Sequence, residues 1–299
     1  MKQVHVRRMS GLLFSLIFGV FFASGARAEP RGPWLGQQVP GETPLPFAQE
    51  TFKGVDPWVE TCEFSPDGTM CIISVGNESY SKSRLLLSRL QGDTWSSFVP
   101  APFAEGFVYA NEAVFSADGR TLTFTGQRGK SDSKDFWVLP CMDGEFGEPK
   151  PLPEPVSSDS GEFRICYLAD GSFYFASNRT GTSQVYRAIP DGKGAYAVSM
   201  LDPPINTGAF EGDPCLPRDG RYLVYYNSSR TNTNLAVAFP GEGTSWGKPI
   251  PLGAAFNSGV DEYGAHLSAD GKILFFTRHT RAGNIIFWVS SSVVDKLRP

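Results

Sequence analysis

Five of the chain's seven Asp-Gly pairs, at Asp67, Asp118, Asp170, Asp219 and Asp270, divide it at intervals of 51, 52, 49 and 51 residues. Each of the five holds the same place in a longer pattern, so one structural unit is written five times. A strand-and-turn unit of about 50 residues is the signature of a β-propeller blade. The spacing constrains the fold tightly and the function weakly.

Aligned on the Asp, the units share four strand signals. Large apolar residues stand three positions before it (Phe64, Phe115, Tyr167, Leu216, Leu267), with smaller ones two positions earlier (Cys62, Ala113, Ile165, Pro214, Ala265). That period of two describes a strand with one packed face. After the turn come nearly continuous apolar runs such as 70–75 and 173–177, as expected when both sheet faces are covered. A polar loop and a third strand follow, for example 85–87 and 285–289. An outer strand then opens on Trp95, Phe146, Tyr196 or Trp246 and runs into Pro-rich sequence, which a free edge tolerates.

Only four such aromatics follow five turns, so the fifth unit lacks its outer strand. Residues 41–68 parallel residues 247–271, which places Thr43 to Phe47 as the missing strand. Closing the ring with one strand from the other end removes open sheet edges. The expected fold is all-β: a five-bladed propeller of four-stranded blades, completed by an N-terminal strand in the last blade. The acidic residue, SPDG turn, aromatic strand, Asn-Arg loop and W-x-x-P run resemble the Pro-Asp variant of WD-type propeller repeats, as in TolB-like proteins. The likeness covers essentially all of residues 41–292. TolB has six blades and an additional N-terminal domain, which this sequence lacks, so the resemblance implies architecture rather than activity.

Residues 1–28 read as a secretory signal peptide. Lys2, Arg7 and Arg8 precede an apolar run from Gly11 to Ala23, and Ala26-Arg27-Ala28 supplies the cleavage pattern. Residues 29–299 then form a single domain with a periplasmic or secreted location and no transmembrane segment. Of 27 basic residues, four lie in the leader, leaving 23 against 31 acidic and a formal charge of −8. That balance, with no basic stripe, argues against nucleic acid as a partner. Export would allow Cys62, Cys71, Cys141, Cys166 and Cys215 to pair, with Cys62 and Cys71 flanking the first turn; buried thiols are the alternative.

The segments leading into each blade carry Glu60, Glu112, Glu162, Glu211 and Glu262, and the loops after the second strands carry Arg128, Arg179, Arg230 and Arg278. A feature present in every blade is best explained by a need every blade shares, namely ion pairs that tie the ring. Catalysis needs distinct acid, base and binding groups, so residues that break the repeat are the better candidates. Six before the Asp, the column reads Thr61, Glu112, Arg164, Asp213 and Gly264. Candidate catalytic residues are therefore Glu112, Arg164 and Asp213, with His266 nearby. Trp58, Tyr263 and His279 are candidate ligand contacts.

No nucleophile elbow, zinc helix, phosphate loop or calcium loop is present, so neither a metal nor a cofactor is expected. The leading expectation is a non-catalytic, monomeric propeller that binds a protein or glycan partner of the cell envelope on its loop face. A carbohydrate-active hydrolase or lyase at the channel mouth is the alternative.

Overall fold

Each Asp-Gly turn is built by its own side chains. In the first, Ser65 Oγ donates to Asp67 Oδ1 at 2.6 Å, and the Thr69 backbone N–H donates to the same oxygen at 3.0 Å. Ser65 Oγ also accepts the Met70 N–H at 2.9 Å. Ser116–Asp118 and Ser268–Asp270 repeat the arrangement. The glycines that follow, from Gly68 to Gly271, take φ between 66° and 82°, a region that side chains disfavour.

The computed structural model describes residues 30–130, 132–228 and 232–299. The turns connect five antiparallel blades in a ring. The innermost strands are Val59–Phe64, Tyr109–Phe115, Glu162–Tyr167, Glu211–Cys215 and Glu262–Leu267. The second strands, of which Met70–Val75 and Phe173–Ser177 are buried at every position, sandwich between neighbouring blades. Third strands such as Arg84–Gln91 and Gly283–Ser290 lie outside them, followed by short outer pieces. The core therefore lies between blades, and five apolar clusters fill the gaps.

The last blade closes as the sequence predicts. Leu45–Pro46 pairs with Trp288 and Phe287 of the third strand, and the Phe47 N–H donates to the Ile286 carbonyl at 2.8 Å. Phe47 is fully buried against Phe64 of blade 1 and Phe275 and Trp288 of blade 5. Upstream, the Trp95 indole of blade 1 donates to the Gly32 carbonyl at 2.7 Å. Residues 30–58 thus strap the first blade to the last across the seam.

The five cysteines are all unpaired thiols. Cys62 faces Ile73 and Cys71 faces Phe64, so the two flank the first turn out of register rather than opposite each other. The proposed signal peptide lies outside the described residues, apart from which no described helix is long and apolar enough to cross a membrane.

Candidate functional site: the two mouths of the channel

The inner strands of blades 2 to 5 each carry a bulge, between Asn111 and Val114, Phe163 and Cys166, Gly212 and Cys215, and Tyr263 and His266. In each bulge one residue takes a left-handed conformation: Glu112 (φ 52°), Arg164 (46°), Asp213 (49°) and Gly264 (65°). These are the repeat-breaking column of the sequence. Non-glycine residues are strained there, and such strain persists where surrounding bonds over-determine it. Here the Glu112 N–H donates to Ser74 Oγ at 2.9 Å and the Arg164 N–H to Glu112 Oε2 at 2.8 Å. The Gly264 N–H donates to Asp213 Oδ2 at 2.7 Å. The bulges of blades 2, 3 and 5 thus lean on the preceding blade.

The repeated acids behave differently. Glu162 Oε1 meets Arg179 Nη2 at 3.1 Å, and Glu262 Oε1 meets Arg278 Nε at 2.9 Å, each within one blade. The same carboxylates accept from Ser158 and Ser258, four residues upstream. The arginines also donate to Val156 and Phe256 carbonyls. These are latches holding the lead-in segment against the loop after the second strand. Glu211 makes the equivalent contacts with Thr207 and Gln184. In blade 2, Arg128 stacks on Phe107 and Trp137 at 4.9 and 4.8 Å instead. Arg230 lies outside the described residues.

Glu60, Glu112 and Asp213 are the acids left over, and they line one cavity of about 360 Å³ on the loop face. Asn111 Nδ2 bridges Glu60 Oε2 and the Tyr109 hydroxyl, at 3.0 Å each. Lys134 Nζ sits 3.7 Å over the Tyr109 ring and 5.7 Å from that of Phe163. Tyr80, Phe210, Tyr226 and Tyr263 complete the aromatic wall. Glu60 packs so closely on Gly76 that a Cβ there would displace its carboxyl.

Burial and the neighbouring Glu112 push Glu60 up to about 8, against the Asn111 hydrogen bond. Glu112 is raised to about 7 by burial and by Asp213, with Arg164 opposing. Asp213 is raised by burial, and burial lowers Lys134. The pocket thus holds carboxyl groups able to donate as well as accept near neutral pH.

The sequence candidates divide between the two mouths. Glu112, Asp213 and Tyr263 converge on this pocket. Trp58 stacks on His279 at 5.4 Å, and His279 lies 5.3 Å from Tyr80, which meets Tyr263 at 5.7 Å; this row extends outward from the pocket wall. Arg164 and His266 instead line a second cavity of about 520 Å³, on the face of the Asp-Gly turns. His266 is buried, with Nε2 2.6 Å from the Cys62 carbonyl and Nδ1 2.8 Å from that of Gly264. Burial and then Arg164 hold it down to about 3, while the two carbonyl acceptors pull the other way; its two contacts make it a strut between blades 5 and 1. Lys134, Asn111, Tyr109 and Phe163 carried no sequence signal of their own. Glu60 did: it stands seven before its Asp, where Glu162, Glu211 and Glu262 stand eight.

No protein-family model matches this sequence, and no curated protein does. Among solved structures, the chain is similar to one assigned to TolB from Agrobacterium tumefaciens, at 18% identity and TM-score 0.52, covering 75% of this chain and 70% of that one. It is also similar to a glycoside hydrolase at 10% identity and TM-score 0.54, covering 88% and 92%. A thermostable family-43 glycoside hydrolase matches at 12% identity and TM-score 0.50, covering 87% and 91%. These likenesses support the propeller fold; the five blades and the polar, aromatic-walled pocket at one channel mouth are features of this structure itself.

Proposed function

We propose that this is an exported propeller that binds a saccharide in the loop-face pocket. The observation that carries the reading is the convergence of Glu60, Glu112 and Asp213 among the rings of Tyr109, Phe163 and Phe210. Sugar hydroxyls both donate and accept, and partly protonated carboxyls answer both roles. Aromatic faces pack against the C–H faces of a sugar ring, and a pocket of about 360 Å³ suits a small ligand. Export rests on the leader-like residues 1–28.

A glycan panel titrated against the purified protein tests this. Saturable binding of a neutral oligosaccharide is expected, weakened about tenfold or more by Glu112→Gln or Phe163→Ala, the loss of roughly 1.4 kcal/mol or more. Blank titrations across the panel, with a protein retained from envelope extracts instead, would replace the glycan with a protein partner.

One observation favours a second reading. Glu60, pushed up to about 8, stands with three further carboxyls, Glu112, Asp213 and Asp261, in the same pocket, which is the pairing of acid and carboxylate that glycoside hydrolysis uses. Fold neighbours named as glycoside hydrolases show that the architecture accommodates such chemistry; the reading itself rests on these side chains. Release of reducing ends, abolished by Glu60→Gln with binding retained, would convert the binding protein into an enzyme.

A further inference from the structure

The opposite mouth is a site in its own right. Arg164 reaches its cavity of about 520 Å³ from the blade 3 bulge and is only 3% exposed. Among the described residues, no hydrogen bond or ion pair engages its guanidinium; its backbone N–H alone is bonded, to Glu112. Arg218, half-buried on the same wall, likewise has no side-chain partner. A desolvated guanidinium without a partner costs several kcal/mol, so natural structures rarely leave one unanswered.

The remaining charges of the cavity are committed. Lys272 pairs with Asp270 at 3.3 Å, and Arg221 lies between Asp219 at 3.1 Å and Asp295 at 3.0 Å. Glu63 is the one other acid on the wall, and its Oε1 accepts the Phe115 N–H at 3.2 Å. Burial pushes Glu63 up to about 7 against the opposing pull of Arg164 and Arg218, so near neutrality it is half protonated. His266 is neutral. On this wall two guanidinia therefore meet one half-neutralised carboxyl, Glu63; Arg164 also feels Glu112 and Asp213 from the other side of the channel, but its guanidinium is hydrogen-bonded to neither.

We propose that the turn-face mouth binds a carboxylate group, gripped by Arg164 from the floor and Arg218 from the wall, with the Glu63 carboxyl donating the third hydrogen bond. The planar fork of arginine matches carboxylate geometry, and a protonated acid completes the shell that the cations leave open. A dianionic phosphate is the poorer fit because Glu63 stands beside both cations. The cavity admits a ligand the size of one sugar ring or a dipeptide. A sugar acid and a peptide chain end both present this group. The site is on the other face of the ring from the saccharide pocket and does not depend on it.

The test is titration of the intact protein with glucuronate and with N-acetylglycylglycine, each beside its neutral counterpart, glucose and the dipeptide amide, and with inorganic phosphate. Binding is followed by backbone amide shifts. Saturable shifts at Arg218, Ala265 and Gly271 with a carboxylate and not its neutral counterpart are expected; which carboxylate binds tighter identifies the source. Arg164→Met should weaken binding at least tenfold. Arg218→Gln, at a half-buried wall position, should weaken it several-fold with the melting temperature unchanged, which keeps the test decisive if Arg164→Met fails to fold. The proposal is overturned by no saturable binding up to about 10 mM, by equal binding of the neutral counterparts, by tighter binding of phosphate, or by an Arg218→Gln protein that binds as the parent does.

Discussion

Glu262 and Glu60 are both buried glutamates on innermost strands, yet they do opposite things. Glu262 meets an arginine and a serine of its own blade, and its equivalent Glu162 does the same. Glu60 meets an asparagine and has two more acids for neighbours in place of an arginine. The first kind recurs along the chain and ties a blade together; the second occurs once and shapes a pocket. Burial alone does not distinguish structure from function, whereas the supply of a local countercharge does.

Breaking a latch is the strongest test of that contrast. Arg278→Ala leaves Glu262 buried without its cation and should cost about 3–5 kcal/mol, read as a fall in melting temperature of roughly 6–20 °C. Saccharide affinity should stay within twofold in the folded protein. If affinity collapses while stability holds, the division of labour is wrong.

Removing the pocket acid should do the reverse. A carboxyl whose folded pKa is raised favours the folded state while protonated. The stability that Glu60 contributes is therefore complete below about 4.5 and lost as pH rises through about 8. The parent should melt progressively lower from pH 5 to pH 8.5, at up to about 1.4 kcal/mol per unit for this group. Glu60→Gln should flatten that slope and melt higher than the parent at pH 8.5. An unchanged slope would place the titrating group elsewhere.

Gly76→Ala attacks the same acid from behind, since a methyl group there must displace the Glu60 carboxyl. A cost of about 1–3 kcal/mol is expected from overpacking, together with loss of saccharide binding; retained binding would mean Glu60 is dispensable to it. Arg128→Ala gives the smallest effect. Its guanidinium stacks on two rings without a carboxylate, worth about 0.5–1 kcal/mol. A larger loss would reveal a latch in blade 2 after all.

The blade count and the closing strand were legible because they depend on turn chemistry and on period, both of which spacing records. The column Thr61, Glu112, Arg164, Asp213 and Gly264 was legible as the asymmetric one. What spacing could not convey was direction. Glu112, Arg164 and Asp213 adopt a left-handed backbone that nothing in their side chains requires, so the mouth each faces is set by the bulge. His266 was grouped with Asp213 for the same reason, and it belongs to the other face. Of the pocket's aromatic wall, Tyr109, Phe163, Tyr226 and Tyr263 stand on strands, but Tyr80 and Phe210 come from irregular segments, which carry no periodic signal.

The strap formed by residues 30–58 also dictates the order in which the molecule can be finished. Leu45 and Pro46 have no sheet to join until Gly283–Ser290 is in place, some 240 residues later. Contacts this distant in sequence are slow to form, so a growing chain would hold four nearly complete blades with Phe47 still waiting in water. The ring is locked only once Gly283–Ser290 has been made, and until then Leu45–Pro46 is a strand without a sheet.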